Sequence, residues 1–463
     1  MTINRSMLSS LKVTIMGLGL HGGGAASAEF FARQGAKVTV TDVKNQEQLA
    51  PSLHRLSGYP IRFVLGGHNE EDFRNADIVI KNPAVPYSSP FLKIAKQVET
   101  DISVFLALSK SPIIAVTGSK GKSSTASAIQ FILQDEFPRC KLGGNITVSP
   151  LTFLEETDAN TPVVLELSSW QLGDLPDSTA FKPRVAVITS IHPDHQDRYD
   201  SMESYVADKK LIYRNQSESD ITICNYDDAY GREFFAETGG YPYAFSLSEL
   251  PEGVPGAFYR GQDAYFRKQE NNNTTSAEIP LFSGNLNVTG KHQRHNLIAA
   301  AAAAYAFGVS TQSIQKQAPQ FSGIPHRLEF FHEKNGIQFY NDSAATIPQA
   351  TKAAIESFSE PLHLITGGTD KSLDFSVLSD ALIKPEQIYL LAGSGSAKLI
   401  QLLEKEGIRF NGPYSTLEEA VSAAFDNAKP GSCILLSPGC SSFEMFKNEF
   451  DRGNQFKEIA ARL

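Results

Sequence analysis

The chain has 463 residues, of which 41% are hydrophobic and 20% charged, an ordinary globular composition that predicts about three domains. Its 42 basic and 51 acidic residues leave a net charge of −9, which disfavours nucleic acid or an anionic membrane as the main partner. The longest strongly apolar run, Leu297 to Val309, is too short for a membrane span, and four cysteines without metal-ligand spacing exclude a disulfide scaffold and predict a reduced, cytoplasmic protein.

The first hundred residues alternate strand and helix patterns. The apolar stretch Val13–Leu20 runs directly into a glycine cluster, so no cleavable signal is predicted. The predicted elements are strand Leu11–Met16, helix Ala25–Gln34, strand Lys37–Thr41 and strand Asp77–Ile80. Such alternation predicts a parallel sheet with right-handed crossovers, that is, a Rossmann-like domain.

A glycine cluster, Gly17-Leu18-Gly19-Leu20-His21-Gly22, follows the first strand, and Asp42 follows the second. Glycines at such a turn let backbone amides approach a pyrophosphate, and the acidic residue can reach a ribose hydroxyl. The pattern is compatible with a nicotinamide cofactor, with another nucleoside diphosphate, or with a tight turn that binds nothing.

A second cycle begins near residue 101. Its predicted strands are Ile113–Val116, Val163–Leu167, Val185–Ile188 and Ile221–Cys224, whose β-branched runs suit a buried parallel sheet. The stretch from Tyr241 to Val288 is rich in Gly, Pro, Asn and aromatic residues, and predicts a short antiparallel excursion. The alanine-rich segment Asn296–Phe307 predicts a helix.

The strand Ile113–Val116 leads into a phosphate-loop motif, Thr117 to Thr125, that precedes a helical pattern. Loop amides and the helix dipole favour phosphate, Lys122 supplies a positive charge, and Ser123 can reach Mg²⁺. The motif is shortened to G-x-x-G-K-S, because Val116 stands where the standard loop has its first glycine.

Two further residues follow strands of the same predicted sheet. Glu166 ends an apolar strand and should lie beside the phosphate loop, where a carboxylate would hold a cation on the terminal phosphates. His195 follows the next strand and is a candidate second ligand. Either side chain could instead be an ordinary surface or hydrogen-bonded residue.

A third cycle begins near Gly323. Strands Leu362–Ile365, Ile388–Ala392 and Ile434–Leu436 each end in small residues, as at the ligand-binding rim of a doubly wound sheet. The predicted fold is therefore α/β with three domains: a Rossmann-like domain at residues 1–100, a central phosphate-loop domain at 101–322, and a Rossmann-like domain at 323–463.

The ordered set of motifs resembles the Mur ligase family, the ATP-dependent amide ligases of peptidoglycan assembly. The motifs that carry the resemblance are Thr117–Thr125, Gly143–Ile146, Leu165–Leu172, His192–Tyr199, Asn341–Ser343, Ser437–Asn448 and the pair Arg452-Gly453. The C-terminal motifs are similar to those of the member that adds glutamate. The resemblance covers nearly the whole chain and is weakest from about 230 to 285.

The resemblance implies that the first domain binds the UDP of a muramoyl substrate rather than a nicotinamide. The matching substrate-binding positions are Leu20, His21, Asp42, Lys44, Asn82 and Asn145. The positions implied for ATP, between the second and third domains, are Gly118, Ser119, Lys120, Gly121, Lys122, Ser123, Ser124, Thr125, Asn296, Arg327 and Asp342. Two Mg²⁺ ions are implied, with ligands from Ser123, Glu166, His195 and Lys209.

Lys209 resembles the family's lysine that carries CO₂ as a carbamate, an anionic oxygen ligand for a second Mg²⁺ near His195. Composition alone would make it a solvated helix lysine. Lys122, His195 and Lys209 are the implied catalytic residues, and Thr346, Lys371, Ser442 and Phe443 the implied amino-acid pocket.

Two positions depart from the family pattern. Ala344 follows Asn341-Asp342-Ser343 where the family often has lysine, which removes a cation near the reacting carboxyl group. Gln293 replaces an asparagine before Asn296, retaining an amide with one more methylene.

The function implied is an ATP-dependent ligase, a monomer without a membrane span, that adds D-glutamate to UDP-N-acetylmuramoyl-L-alanine through an acyl phosphate. Alternatives within the class are ligases for another amino acid, including L-glutamate, and polyglutamate synthases. The rivals from other classes are an NAD-dependent oxidoreductase, which rests on the first glycine cluster alone, and a nucleotide-binding regulatory module.

Overall fold

The computed structural model describes residues 3–19, 22–146, 148–175, 181–193, 199–268, 277–288, 290–371 and 373–463. The described chain divides into two compact units, one of residues 1–283 and 295–318 and the other of residues 284–294 and 319–463. No helix among the described residues is long and apolar enough to cross a bilayer. Cys140, Cys224, Cys433 and Cys440 are buried free thiols.

The first unit begins with a parallel sheet whose described strands number five, in the order β3-β2-β1-β4-β5. They are β1 (Lys12–Met16), β2 (Lys37–Asp42), β3 (Ile61–Leu65), β4 (Ile78–Lys81) and β5 (Val98–Glu99). The helices around it are α1 (Gly23–Arg33), α2 (Ala50–Arg55), α3 (Glu70–Arg74), α4 (Pro90–Lys93) and α5 (Asp101–Leu108). Central strands β1 and β4 are almost wholly buried, as expected for a sheet covered on both faces.

The same unit carries a second sheet of nine described strands, in the order β14-β13-β12-β11-β10-β9-β6-β8-β7. They are β6 (Ile113–Thr117), β7 (Lys141–Gly144), β8 (Val163–Glu166), β9 (Val185–Ile188), β10 (Ile221–Asn225), β11 (Tyr241–Ser246), β12 (Gly256–Arg260), β13 (Asp263–Arg267) and β14 (Glu278–Phe282). Its helices are α6 (Lys122–Leu133), α7 (Ser169–Gly173), α8 (Met202–Lys210), α9 (Ala229–Glu237), α10 (Lys291–Phe307), whose first residues lie in the second unit, and α11 (Thr311–Gln317).

The two sheets of the first unit share one hydrophobic core. Residues of the first sheet such as Val13 and Ile15 belong to the same buried cluster as Ala115 and Leu165 of the second. A buried ion pair between Lys81 and Asp174 also joins them. Both side chains are buried, and such a pair adds little net stability because both charges give up most of their hydration.

The second unit contains a mixed sheet of six described strands in the order β15-β16-β20-β17-β18-β19. The strands are β15 (Glu329–Lys334), β16 (Ile337–Asn341), β17 (Leu362–Thr366), β18 (Gln387–Leu391), β19 (Asn411–Tyr414) and β20 (Cys433–Leu436), and the helices are α12 (Pro348–Glu356), α13 (Ser394–Lys405), α14 (Leu417–Asn427) and α15 (Glu449–Arg462). One apolar cluster includes Leu364 and Leu435, and a second includes Ile365 and Ile434, so alternate residues of β17 and β20 enter different clusters.

The structure confirms the three-sheet α/β fold and most of the predicted elements. Strand β9 matches its prediction residue for residue, and the alanine-rich helix begins earlier, at Lys291. The predicted antiparallel excursion is partly wrong. β11 (Tyr241–Ser246) pairs in parallel with both β10 and β12, and in the described part of this stretch the antiparallel pairs are β12 with β13 and β13 with β14. The glycine and aromatic content of this stretch predicts turns and strands, but it does not predict whether neighbouring strands run parallel or antiparallel.

Candidate active site

The first glycine turn, which follows β1, is fixed by hydrogen bonds to Asp42 at the end of β2. Its Oδ2 accepts a 3.1 Å hydrogen bond from the Gly19 N–H, and its Oδ1 accepts a 2.9 Å bond from the Lys44 N–H. Asn82, after β4, donates from Nδ2 to the Gly17 carbonyl at 3.2 Å. The turn is therefore fixed by side chains from both neighbouring strands.

A cavity of about 550 Å³ opens at this turn. Its lining includes Gly17, Gly19, Asp42, Lys44, His68 and Asn82. The structure thus brings together three of the predicted UDP-site residues, Asp42, Lys44 and Asn82, whereas Leu20 and His21 lie outside the described residues. An anionic and a cationic side chain at a cavity rim suit a ligand with both hydroxyl and phosphate groups.

Sequence reasoning missed His68 in this cavity. Its Nδ1 lies 2.7 Å from Thr41 Oγ1, and its ring meets the Phe91 ring edge-on at 5.0 Å between centroids. Burial lowers the pKa of His68, which favours the neutral imidazole. The available signal was the pair Gly66-Gly67 before it, since glycines after a strand mark the ligand-binding rim.

The phosphate loop contains two glycines with a positive φ at which a Cβ would overlap a neighbouring side chain. Gly118 has φ +146° and a Cβ there would overlap Thr189 Oγ1, while Gly121 has φ +85° and a Cβ there would overlap Asn296 Oδ1. Gly121 is the N-cap of the twelve-residue helix α6. The structure therefore brings the predicted Asn296 against a loop whose helix amides and dipole favour an anion.

The rest of the loop is anchored to its neighbours. Lys122 Nζ donates to the Ser119 carbonyl at 3.0 Å, and buried Ser119 bonds through Oγ to Tyr205 at 2.8 Å and to the backbone of His192. Lys120 is exposed, Ser123 and Ser124 are half-buried, and Thr125 is buried. The loop is therefore pre-organised by contacts with the segment after β9.

Glu166 lies at the end of β8, next to β6, with its backbone in register with Val116. It is 1% exposed. Asn145 donates from Nδ2 to Glu166 Oε1 at 2.9 Å and from its backbone N–H to the Glu166 carbonyl at 2.8 Å. Glu166 Oε2 is buried, and within the described residues nothing hydrogen-bonds to it. A buried carboxylate oxygen that has no hydrogen bond and lies beside a phosphate loop is suited to bind Mg²⁺.

Lys209 on α8 is also buried at this edge, 2% exposed. Its Nζ donates to the Gly118 carbonyl at 2.8 Å and lies 4.5 Å from the centre of the Tyr205 ring. The lysine is therefore in contact with the phosphate loop and is not a solvated surface residue. His195, the other predicted catalytic ligand, lies outside the described residues. No group of three His, Cys, Asp or Glu able to hold a metal occurs in the described part of the chain.

In the second unit, Asp342 follows β16 and is buried. Its Oδ2 accepts a 2.7 Å hydrogen bond from Ser437 Oγ, and its Oδ1 accepts a 3.1 Å bond from the Leu328 N–H. Burial raises the pKa of Asp342 to about 7, although those hydrogen bonds and the charges of Arg327 and Arg452 act in the other direction. Exposed Arg327 is thus electrostatically coupled to Asp342.

Three of the predicted amino-acid-pocket residues lie close together. Lys371 Nζ is 4.8 Å from the centre of the Phe443 ring, and Phe443 is largely exposed. Ser442 is buried, and none of the described residues hydrogen-bonds to its Oγ. The loops of Lys371 and Ser442 are joined by backbone hydrogen bonds of 2.9 and 3.1 Å between Thr369 and Ser441. Thr346 is half-buried before α12, and among the described residues no hydrogen bond or ring contact joins it to the other three.

Three family profiles match the chain. The profile of the Mur ligase MurD-like N-terminal domain matches residues 11–104, that of the Mur ligase middle domain residues 116–304, and that of the Mur ligase glutamate ligase domain residues 326–440. The three matches follow one another along the chain and span most of it.

Curated relatives match over nearly the full length. The chain is 41% identical to the UDP-N-acetylmuramoylalanine–D-glutamate ligase of Treponema pallidum and 39% identical to that of Roseiflexus sp. strain RS-1, with 98% of each chain covered in both cases. Among solved structures, the UDP-N-acetylmuramate-alanine ligase MurC of Thermotoga maritima matches with a TM-score of 0.58 at 20% identity, covering 98% of this chain and 99% of that one. This last likeness concerns the fold.

Proposed function

The chain belongs to the Mur ligase family, and we propose that it joins D-glutamate to UDP-N-acetylmuramoyl-L-alanine, with cleavage of ATP to ADP and phosphate, in peptidoglycan synthesis. The structural observation that carries the proposal is the meeting of the phosphate loop, Glu166 and Lys209 at one edge of the second sheet. The NAD-dependent oxidoreductase suggested by the first glycine cluster is not favoured, because it leaves this edge without a role.

The UDP-linked substrate is assigned to the cavity at the first glycine turn. Asp42, Lys44 and Asn82 line that cavity, and the family resemblance adds Leu20 and His21 to this set. Asn145, the sixth residue that the resemblance assigns to the substrate, lies instead against Glu166. Asp42 can accept from a ligand hydroxyl while it holds the turn, and Lys44 can pair with a phosphate. The turn amides add donors for the diphosphate.

ATP is assigned to the loop from Gly118 to Thr125, with Asn296, Arg327 and Asp342 as further nucleotide contacts. Amides at the start of α6 and the Lys122 ammonium would hold the phosphates and offset the charge that builds up on the transferred phosphoryl group. Because Lys122 lies 3.0 Å from the Ser119 carbonyl, its charge is already oriented along the loop.

Mg²⁺ would be held by Glu166 and Ser123, and it supplies charge neutralisation and polarisation of phosphate oxygens. The buried Oε2 atom of Glu166 fits this assignment. We further propose a second ion held by His195 and by Lys209 as a carbamate. A neutral lysine amine and CO₂ give the carbamate and one proton, and the product keeps one N–H for the Gly118 carbonyl while adding two oxygen ligands.

The reaction proceeds in two steps. The carboxylate of the alanyl group attacks the γ-phosphorus of ATP, which releases ADP and leaves an acyl phosphate. The amine of D-glutamate then attacks the acyl carbon, and the tetrahedral intermediate expels phosphate to give the amide. The protein mainly positions the reactants and offsets negative charge. Lys371, Ser442, Phe443 and Thr346 are assigned to the incoming glutamate, whose carboxylates need donors once they leave water.

Three broader expectations accompany this proposal. The domain boundaries near residues 100 and 322 stay predictions. Buried free thiols and a role in precursor synthesis support a cytoplasmic location. The monomeric state stays a prediction.

An amino-acid panel tests the function. The full chain is incubated with ATP, Mg²⁺, UDP-N-acetylmuramoyl-L-alanine and one amino acid at a time, in D and L forms, and both ADP and the new amide are measured. We expect both products with D-glutamate, and neither when the acceptor is omitted. Product formation with another amino acid alone, or ADP without an amide, would falsify the assignment. Because Ala344 stands where the family often has a lysine near the reacting carboxyl group, the comparison of D-glutamate with L-glutamate is the decisive one.

A further inference from the structure

Arg452 is a fully buried cation in the second unit. It lies in the first turn of α15, which begins after the N-cap Asn448, and its exposed fraction is 0%. Burial lowers the pKa of Arg452 to about 10, so the side chain remains charged at neutral pH. Arginine is rarely buried completely unless its charge and its donors have partners.

The partners of Arg452 are neutral oxygens. Nε donates to Ser343 Oγ at 3.0 Å and Nη2 to the Ser343 carbonyl at 2.9 Å, while Nη1 donates to the carbonyls of Cys440 at 3.2 Å and Ser441 at 3.4 Å. None of the described carboxylates hydrogen-bonds to it, and Glu449 and Asp342 act on it only through space. A buried positive charge thus contacts the backbone carbonyls of two loops, one at Ser343 and the other at Cys440 and Ser441.

Gly453 allows helix α15 to pack closely against His326 and Asn341. A Cβ at this position would overlap His326 Nδ1 and would lie 2.9 Å from Asn341 Nδ2. Asn341 Nδ2 donates to the Gly453 carbonyl at 3.2 Å. The Arg452-Gly453 pair is therefore a unit in which glycine permits close packing and arginine makes the contacts.

Each segment that packs on the guanidinium is close in the sequence to a residue of the proposed amino-acid pocket. Cys440 and Ser441 directly precede Ser442 and Phe443. A Cβ at Gly368 would lie 3.6 Å from Arg452 Nη1 and 2.7 Å from the Ser441 carbonyl, so the loop that carries Lys371 packs closely on the same group. Ser343 directly follows Asp342 and precedes the segment with Thr346.

We propose that Arg452 is a positioning residue for the incoming amino acid: it fixes the loops that present Ser442 and Lys371, and it supplies buried positive charge that favours an amino acid with a second carboxylate. This inference rests on the proposed function. The fork of a guanidinium can hold several carbonyls in a fixed arrangement, whereas an ammonium cannot. A buried charge also acts on a nearby anion more strongly than an exposed one does.

The test compares Arg452→Met, Arg452→Lys and the control Arg462→Met in the full chain. Arg462 lies on the same helix with its side chain 65% exposed. The KM values for D-glutamate, ATP and UDP-N-acetylmuramoyl-L-alanine, kcat and the thermal midpoint are measured for each. We expect Arg452→Met to raise the KM for D-glutamate about tenfold or more, with the other two KM values changing less than about twofold. Arg452→Lys should fall between it and the wild type, and Arg462→Met should match the wild type.

An unchanged KM for D-glutamate in Arg452→Met overturns the inference, as does an equal rise in all three KM values. A purely structural role would lower the thermal midpoint and the active fraction, and therefore kcat, without moving the KM for D-glutamate. If Arg452→Met does not fold, Arg452→Lys decides, since it keeps the charge and loses the fork. If the wild-type protein forms no amide from D-glutamate, the proposed function itself is wrong. Failure of the inference about Arg452 is a different result, namely an active wild type with an unchanged KM for D-glutamate in Arg452→Met.

Discussion

Asn145 holds one oxygen of Glu166 and leaves the other without a hydrogen bond from the described residues. The bond from Asn145 Nδ2 to Oε1 is 2.9 Å, and the buried Oε2 is the atom that remains. Leaving a buried carboxylate oxygen unsatisfied costs free energy, so such an atom beside a phosphate loop indicates a cation supplied with the nucleotide. Under the proposed function, Asn145 would orient Glu166 as a metal ligand.

Replacing Glu166 with glutamine tests this relationship. The amide oxygen keeps the size and can still accept from Asn145, but the charge is lost, so we expect kcat to fall roughly 100-fold or more. ADP release is measured against Mg²⁺ concentration, and the variant should need more Mg²⁺ for half-maximal rate. Glu156→Gln is the matched control, because Glu156 is an exposed glutamate paired with Lys141. Equal Mg²⁺ dependence in both variants would remove Glu166 from the metal site.

Lys209→Ala should abolish ligation, because it removes the proposed carbamate and the contact with Gly118. A short carboxylic acid added to the solution should restore part of the rate by supplying oxygen ligands in the same space. Labelling with ¹³C-bicarbonate gives a direct measurement, since the wild type should show a carbamate carbon signal that the variant lacks. Lys210→Ala is the control, because Lys210 pairs with Glu233 and Glu237. Full activity of Lys209→Ala, or a signal that persists in it, contradicts the assignment.

Gly121→Ala separates crowding of the phosphate loop from simple backbone strain. A Cβ at Gly121 would overlap Asn296 Oδ1, whereas one at Gly253, which has φ +79°, would meet nothing within 4 Å. Both alanines adopt a left-handed conformation that costs about 1–2 kcal/mol. We expect only Gly121→Ala to raise the KM for ATP, by about tenfold or more, as measured by ADP release. Similar KM values in the two variants would mean that the loop tolerates the methyl group.

The sequence predicted the parts of the site that lie at strand ends. Glu166 and Asp42 could be placed because each lies at the end of a predicted strand, and the carboxyl ends of parallel strands lie at one edge of their own sheet. Asp342 came from the resemblance to the family, which the order of motifs indicated. The sequence could not reveal that Lys209 reaches the Gly118 carbonyl, since helix and loop are far apart in the chain and only packing joins them. The direction of β11 was missed for a similar reason: local composition does not encode which neighbour a strand pairs with.

Asp342 should make the stability of the protein depend on pH. Burial raises its pKa from an ordinary value of 3.8 to about 7 in the folded state. Between those values the folded protein binds a proton that the unfolded chain has lost, so the stability that this group contributes is complete below pH 3.8 and is lost as the pH rises through 7. The loss is at most about 4 kcal/mol.

Asp342→Asn removes the titration while keeping an oxygen that can accept from Ser437 or Leu328. We therefore expect the thermal midpoint of the variant, relative to the wild type, to rise as the pH is increased from 5 to 8. Asp426→Asn is the control, because Asp426 is exposed, and its difference from the wild type should be flat over the same range. The comparison is made on difference curves, since other groups titrate equally in all three proteins. A flat difference for Asp342→Asn would show that Asp342 is already ionised at pH 5, and that Arg327 and Arg452 outweigh its burial.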